Sequence, residues 1–186
     1  PPALDFIWPG FLAGTVGALV APGATGKSFW ALEAAMSVAC AANVESRAAG
    51  GDLVGLAPAK AGRVVYYAGE DPKPALIGRI HSIGKHLGHE AREAVIENLM
   101  VIPIMGKLMD VMNESKRAEV IEQCEGARLI VLDTLSRIHT LDENSNGEMA
   151  QLVAKLEEIA TITKASVLYL HHAVSYTHLT LPTIRL

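Results

Sequence analysis

The sequence predicts an α/β fold in which a mostly parallel sheet is flanked by helices. Short apolar and β-branched segments alternate with longer segments of helical periodicity from residue 14 to residue 170. Strands separated by helices are joined by crossover connections, which favour parallel pairing. Half of the 186 residues are hydrophobic, which is enough for one sizeable core, so we expect a single domain over residues 1–174.

In the first half of the chain, hydrophobic periodicity separates strands from helices. An apolar, β-compatible segment at residues 14–20 is followed by a glycine-containing loop and an alanine-rich helix at 29–42. Residues 63–68 (RVVYYA) are β-branched and aromatic, which favours a strand. Apolar residues at helical spacing then predict a helix over 72–87, and a second helix follows over 89–99.

The second half continues the alternation. Residues 99–104 are a strand candidate, and a charged segment at 113–125 is predicted to be a helix closed by a glycine. The almost wholly apolar run at 129–132 is expected to be the most buried strand. An amphipathic helix over 147–163 and a strand over 167–170 complete the predicted sheet and its flanking helices.

Charge and composition argue against some classes of protein. The formal net charge of −4 does not suit a globally basic nucleic-acid binder, although a ring or channel needs only a local basic lining. No apolar run approaches the roughly 18 residues of a transmembrane helix, and the first residues lack the pattern of a signal peptide. We therefore expect a cytoplasmic protein with no membrane partner, and, since the chain begins without Met, a missing N-terminal piece.

The loop after the first strand has the pattern of a phosphate-binding loop. Ala21, Gly26, Lys27 and Ser28 fit a relaxed Walker A motif, with alanine where the stricter form has glycine, between a predicted strand and helix. In such a loop, backbone N–H groups point at phosphates, the lysine reaches the β- and γ-phosphates of ATP, and the hydroxyl binds Mg²⁺. A plain glycine-rich turn would leave Lys27 followed by Ser28 unexplained. The predicted nucleotide-binding residues are Pro22, Gly23, Ala24, Thr25, Gly26, Lys27 and Ser28.

Asp133 follows the most apolar strand, at the position of a Walker B carboxylate that holds the magnesium ion. Alternatively, Asp133 and Thr134 only initiate a turn or cap a helix. The Walker A motif upstream favours the magnesium role. Ser28 and Asp133 are therefore the predicted metal-binding residues.

Glu70 ends a different strand, where a carboxylate can orient and deprotonate the water that attacks the γ-phosphate. The adjacent Asp71 competes for this role. The alternative for both is capping of the next helix, since acids are favoured near a helix N-terminus. We interpret Glu70 as catalytic and Asp71 as capping.

His171 and His172 end the last predicted strand, near the expected phosphates. Successive strand residues point in opposite directions, so we expect one histidine to face the γ-phosphate and the other to pack. Arg79 lies about two turns into the helix that follows Glu70. Two interpretations of this arginine remain open, a surface ion pair and a contact with phosphate. Three further histidines have no strand-end position and are interpreted as solvated: His81, His86 and His89.

Taken together, the motifs APGATGKS, YYAGEDP, VLDTLSRIH and LYLHHA resemble those of RepA-type hexameric replicative helicases, a group of RecA-like ATPases. The resemblance spans residues 1 to about 173. It implies a RecA-like P-loop core from a bacterial plasmid or phage, acting as a homohexamer that hydrolyses ATP at subunit interfaces. It also implies movement along single-stranded DNA. The positions that match the family's functional residues are Lys27, Ser28, Glu70, Arg79, Asp133 and His172, the last as the γ-phosphate-sensing residue.

After Ala173 the chain departs from that family, in which DNA-contacting loops and an arginine finger follow. Residues 175–186 (SYTHLTLPTIRL) would be either an edge strand or a non-native tail, and the latter is our hypothesis. Without the finger we expect nucleotide binding with very slow turnover. As an alternative function, the domain would be a RecA-like DNA-binding ATPase that acts as a regulator or recombination mediator without unwinding. A P-loop kinase is a weaker alternative because no arginine-bearing lid is evident.

Overall fold

The computed structural model of this chain describes residues 3–41 and 52–173. The predicted tail at 175–186 and residue 42, the predicted end of the first helix, lie outside these ranges. In chain order the elements are β1 (Phe6–Trp8), β2 (Phe11–Leu12), β3 (Val16–Ala21), α1 (Lys27–Cys40), β4 (Arg63–Ala68), α2 (Lys73–Gly84), α3 (His89–Asn98), β5 (Leu99–Pro103), α4 (Glu114–Gln123), β6 (Ala127–Asp133), a 3₁₀ turn (Leu135–Arg137), α5 (Asn146–Thr163) and β7 (Ser166–His172).

Strands β3 to β7 form one parallel sheet in the order β3-β7-β6-β4-β5. This architecture confirms the predicted α/β class, with a parallel sheet flanked by helices. The helices between strands return the chain to the starting end of the sheet, so that each new strand runs parallel to its neighbours. As a result, the carboxyl ends of all five strands lie at one edge.

The sequence prediction missed the β1–β2 hairpin, an antiparallel pair that precedes the main sheet. Gly10 lies between the two strands with a φ of 91°, a left-handed conformation that glycine adopts without a Cβ clash. The pair Pro9-Gly10 between aromatic residues was the available turn signal. Trp8 and Phe11 are buried, with ring centroids 5.0 Å apart, so the hairpin is part of the hydrophobic core.

Alternating side chains of the strands build a hydrophobic core on each face of the sheet. Helices α1, α2 and α3 cover one face, which includes Tyr66 and Val131, and helices α4 and α5 cover the other, which includes Tyr67 and Ile130. Successive strand residues point to opposite faces. Tyr66 and Tyr67 are therefore adjacent in β4 but belong to different cores, a difference that matters for the site described below.

Helix α5, the longest helix in the described ranges, packs on the sheet through the apolar residues of one of its faces. It buries Leu152, Leu156 and Ile159 against the sheet, as their helical spacing predicts. Ser145 caps its N-terminus by accepting a hydrogen bond from the backbone N–H of Glu148 at 3.3 Å. Across residues 3–41 and 52–173, no helix is both long and apolar enough to span a membrane.

An ion pair joins the segment before β1 to strand β6. Two guanidinium nitrogens of Arg128 donate to the two carboxylate oxygens of Asp5, at 2.8 and 3.0 Å. These bonds hold the pKa of Asp5 down to about 2. A carboxyl whose pKa is lower in the folded state stabilises the fold above its unfolded pKa, and this contribution is lost as the pH falls through the folded pKa.

We expect Asp5→Asn to lower the free energy of unfolding by about 1 kcal/mol near neutral pH, a value reduced for the solvent exposure of the Asp5 side chain. The difference from wild type should shrink between about pH 4 and pH 2, because the carboxyl of the unfolded wild type becomes protonated near pH 4, whereas that of the folded protein stays ionised until about pH 2. Urea unfolding of both proteins across this pH range measures the difference in free energy of unfolding and its dependence on pH. A difference that stays constant with pH would contradict an electrostatic origin.

Candidate functional site

A cleft lies at the carboxyl edge of the sheet, where β3, β7, β6 and β4 end side by side. The strand register pairs Ala21 with His172 and Ala68 with Asp133, so the segments that follow these strands meet at one place. The cleft has a volume of about 240 Å³. Its lining residues are Ala24, Thr25, Gly26, Lys27, Ser28, Phe29, Glu70, Asp71, Arg79 and His172.

Three of the predicted site residues lie just outside this lining. Pro22 has no N–H to offer a phosphate, and its carbonyl oxygen instead accepts a hydrogen bond from Lys27. Gly23 lies next to the ring of His172, where an added Cβ would be 3.9 Å from Nδ1. Asp133 lies beneath the cleft and is only 3% exposed.

Two residues with positive φ shape the loop between β3 and α1. Gly26, immediately before the helix, has a φ of 85°, and Ala24 has a φ of 57°. Thr25 Oγ1 donates to the carbonyl oxygen of Pro22 at 2.8 Å and closes the loop on itself. A side chain at position 26 would strain this backbone conformation. The loop leads into the first turn of α1, whose N–H groups have no acceptor within the helix and are suited to bind an anion.

Lys27 places an ammonium group in the cleft, and its side chain is held by backbone carbonyl oxygens. The ammonium Nζ donates to the carbonyl oxygens of Ala21 and Pro22 at 2.8 and 2.6 Å, and lies 3.2 Å from His172 Nδ1. An ammonium group can only donate, so Nδ1 must be the unprotonated nitrogen of the ring. The proton of the neutral imidazole is then on Nε2, which donates to Glu70 Oε1 at 2.7 Å. Lys27, His172 and Glu70 therefore form one directed series of hydrogen bonds.

Ser28 and Asp133, the two residues predicted to bind magnesium, lie in contact with each other. Ser28 Oγ donates to Asp133 Oδ1 at 3.1 Å, and Tyr66 Oη donates to Asp133 Oδ2 at 2.7 Å. Burial raises the pKa of Asp133, and the hydrogen bonds from Tyr66 and Ser28 oppose this effect. One carboxylate and one hydroxyl suit Mg²⁺, which keeps several waters and takes its other ligands from phosphates. No group of three or more His, Cys, Asp or Glu residues within 3–41 and 52–173 is arranged to hold a metal ion.

Glu70 lines the cleft and follows Gly69, where the ends of strands β4 and β6 approach closely. The backbone N–H of Gly69 donates to the carbonyl oxygen of Asp133, and an added Cβ would lie 2.6 Å from Arg137 Cγ and 2.9 Å from that same oxygen. Only glycine fits this approach. The Glu70 side chain is 37% exposed, so its carboxylate faces both His172 and solvent. A carboxylate in this position can orient and deprotonate a water molecule.

The prediction that Asp71 caps helix α2 is wrong. Pro72 is the N-cap residue and the helix has no side-chain cap, while Asp71 Oδ2 accepts a hydrogen bond from Arg79 Nη1. The guanidinium is a stronger partner for the carboxylate than an exposed backbone N–H. Arg79 therefore forms an ion pair, which is one of the two interpretations of this residue from the sequence. It also lines the cleft, which is the position that the other interpretation, a phosphate contact, requires.

A family model described as an AAA domain matches residues 1–174 of this chain. The chain belongs to this AAA domain family. The family is one of P-loop ATPases, which in general bind ATP with Mg²⁺ and hydrolyse it. The positive φ of Gly26, the buried ammonium of Lys27 and the Ser28–Asp133 contact are local features compatible with this chemistry.

In the AAA domain the two consecutive histidines of β7 point in opposite directions. His172 contacts Lys27 and Glu70, whereas His171 is buried, with Nδ1 3.4 Å from Glu143 Oε2. Oε1 of Glu143 lies 3.6 Å from Nε2 of the buried His139, and burial lowers the pKa of both His171 and His139. Strand alternation left open which histidine faces the cleft, and the structure places His172 there. His81, His86 and His89 are exposed, as expected.

Sequence patterns did not single out every polar or aromatic group at the AAA domain's site. Tyr66 and Phe29 were missed, and so was Glu143, which contacts the buried His171 and does not line the cleft. Tyr66 stands two residues before the end of β4 and so shares a face with that strand end. The sequence could predict that Tyr66 shares a face with the end of β4. It could not predict that the strand carrying Asp133 lies beside β4, because the strand order cannot be deduced from the alternation of strands and helices alone.

Proposed function

We propose that this AAA domain is the motor of a hexameric replicative DNA helicase, which hydrolyses ATP to move along single-stranded DNA and separate the duplex. The observation that carries the proposal is the hydrogen-bonded series of Lys27, His172 and Glu70 in the cleft. Lys27 would supply a cation for the γ-phosphate, and Glu70 would supply a base for the attacking water. The ring of His172 lies between these two side chains and contacts both. The resemblance of four strand-end motifs to RepA-type helicases supports coupling of this chemistry to DNA.

The chain offers three kinds of contact to a nucleoside triphosphate. Backbone N–H groups of the loop and the first turn of α1 would bind phosphate oxygens. The ammonium of Lys27, which donates hydrogen bonds to two carbonyl oxygens, would donate to the β- and γ-phosphates instead. Ser28 and Asp133 would hold Mg²⁺, which when bound offsets the charge of the phosphates. In this arrangement Arg79 is proposed to contact phosphate from the rim of the cleft.

Glu70 is proposed as the general base. Its Oε1 is engaged by His172, which leaves Oε2 to accept the proton of the attacking water. The ring of His172 touches Lys27 on one side and Glu70 on the other, so departure of the γ-phosphate from Lys27 would alter the contacts of His172. We propose that this difference between the ATP and ADP states moves the end of β7, and that His172 is thereby the phosphate sensor.

Single-stranded DNA and further copies of the chain are the proposed partners. The net charge of −4 requires that cations contacting DNA be gathered locally, as in the channel of a homohexameric ring. In a ring with its nucleotides at subunit interfaces, hydrolysis in one copy is communicated to its neighbour. We place this activity in the cytoplasm of a bacterium that carries the plasmid or phage.

Strand displacement tests the proposed function. Full-length protein is mixed with forked DNA carrying a fluorophore and a quencher, with forks of both polarities, in the presence of Mg²⁺ and ATP. We expect ATP-dependent displacement that is lost in Lys27→Ala and Glu70→Gln. Hydrolysis stimulated by single-stranded DNA with no displacement on either fork would instead support the alternative, a DNA-binding regulator or recombination mediator.

A further inference from the structure

Tyr66 places a hydroxyl group beneath the cleft, against the carboxylate of Asp133. The side chain is 1% exposed and lies in β4, on the face covered by α1. The register sets Ala68 opposite Asp133, so Tyr66, two residues earlier, points to the same face on the neighbouring strand. Its Oη is 2.7 Å from Asp133 Oδ2 and 3.2 Å from the carbonyl oxygen of Ser28.

A phenol has one proton to donate, so the two contacts of Tyr66 are not equivalent. The shorter contact, to a carboxylate, has the length of a charge-assisted hydrogen bond, and we assign the proton to it. The carboxylate oxygens of Asp133 are thus engaged differently. Oδ2 is held by Tyr66 from within the core, while Oδ1 faces Ser28 Oγ at 3.1 Å.

We propose that Tyr66 is a positioning residue for magnesium, which fixes the Asp133 carboxylate so that Oδ1 stays beside Ser28 Oγ. This inference rests on the proposed binding of Mg²⁺ and ATP in the cleft. Groups that hydrogen-bond a metal ligand orient it, and their loss typically weakens metal binding about 10–100-fold. Without the hydroxyl, the orientation of the Asp133 carboxylate would depend on the longer hydrogen bond from Ser28 alone, and its Oδ2 would be left buried without this donor.

Tyr67 provides a matched control in the same strand. It is fully buried, and its Oη donates to Gln123 Oε1 at 2.9 Å on the opposite face of the sheet. Tyr66→Phe and Tyr67→Phe each remove one buried, hydrogen-bonded hydroxyl while keeping the ring. Both variants therefore lose a similar structural interaction, but only Tyr66→Phe alters the surroundings of Asp133.

The test is the Mg²⁺ dependence of binding of a fluorescent ATP analogue to the purified protein. We expect Tyr66→Phe to raise the half-saturating Mg²⁺ concentration about 10–100-fold, with binding restored at high Mg²⁺. Tyr67→Phe should match wild type, and all three proteins should bind the analogue equally in EDTA. Mn²⁺ in place of Mg²⁺, followed by electron paramagnetic resonance, gives a second readout from the metal itself.

An unchanged Mg²⁺ requirement in Tyr66→Phe, or the same shift in both variants, would overturn the positioning role while leaving the proposed function intact. Wild-type protein that binds no analogue at any Mg²⁺ concentration would overturn the proposed function and this inference together. Thermal unfolding in EDTA establishes that the two variants are folded to the same extent before the titrations are compared.

Discussion

Lys27→Ala is expected to abolish binding of Mg²⁺-bound ATP. Lys27 is the cation that lies under the loop, and its ammonium is already aligned by the carbonyl oxygens of Ala21 and Pro22. Its removal deletes two or three charge-assisted hydrogen bonds to phosphate, each worth about 1.5–3 kcal/mol, which corresponds to at least ~100-fold weaker binding. Titration with a fluorescent ATP analogue in Mg²⁺ buffer measures the loss.

Lys116→Ala is the matched control for this experiment. Lys116 lies on the exposed side of α4 in an ion pair with Glu119, so its replacement removes the same charge far from the cleft at little cost in stability. We expect this variant to bind like wild type. If Lys27→Ala also binds with wild-type affinity, the phosphates are not held by the β3–α1 loop.

Glu70→Gln should separate binding from hydrolysis. An amide cannot take a proton from water, but its oxygen can still accept the hydrogen bond from His172 Nε2, so the geometry of the cleft is kept. Removal of a general base typically costs ~10²–10⁴-fold in rate. We expect a decrease of that size in single-turnover hydrolysis of radiolabelled ATP, with affinity for the fluorescent analogue little changed.

Asp71→Asn decides between the two neighbouring carboxylates. Asp71 is paired with Arg79, so it is less available as a base than Glu70, and its replacement should reduce hydrolysis less. Glu93→Gln, on the exposed side of α3, controls for the loss of one negative charge. A larger loss of hydrolysis in Asp71→Asn than in Glu70→Gln would reverse the assignment of the base.

The architecture was predictable because each strand carries its signal locally. Apolar runs of the right length mark the five strands of the sheet, and the rule that parallel strands end at one edge brings Lys27, Glu70, Asp133 and His172 together without knowledge of the strand order. Local patterns also explain the helix boundaries within the described residues, which the structure moves by at most three residues. The placement of residues at a strand end was therefore within reach of the sequence.

Roles that depend on a partner across the sheet were not. The contact of Tyr66 with Asp133 can be predicted only when β6 is known to lie beside β4. The choice between His171 and His172 depends on which face of β7 meets α1. The capping prediction for Asp71 failed because Arg79, eight residues away, offered a better donor than the helix terminus. The β1–β2 hairpin was missed because two short strands give too little periodic pattern.

The pairing of β3 with β7 has a consequence for how the protein reaches its functional state. The Lys27–His172 and Glu70–His172 contacts join residues 145 and 102 positions apart in the chain. Contacts this distant form only after most of the chain has condensed, since loop closure must precede them. A partly folded chain in which β7 has not docked would thus have no complete site. A ligand that bridges these contacts stabilises the whole sheet by mass action, by about 2.7 kcal/mol at 100 times its Kd, and protects the chain against proteolysis through global unfolding.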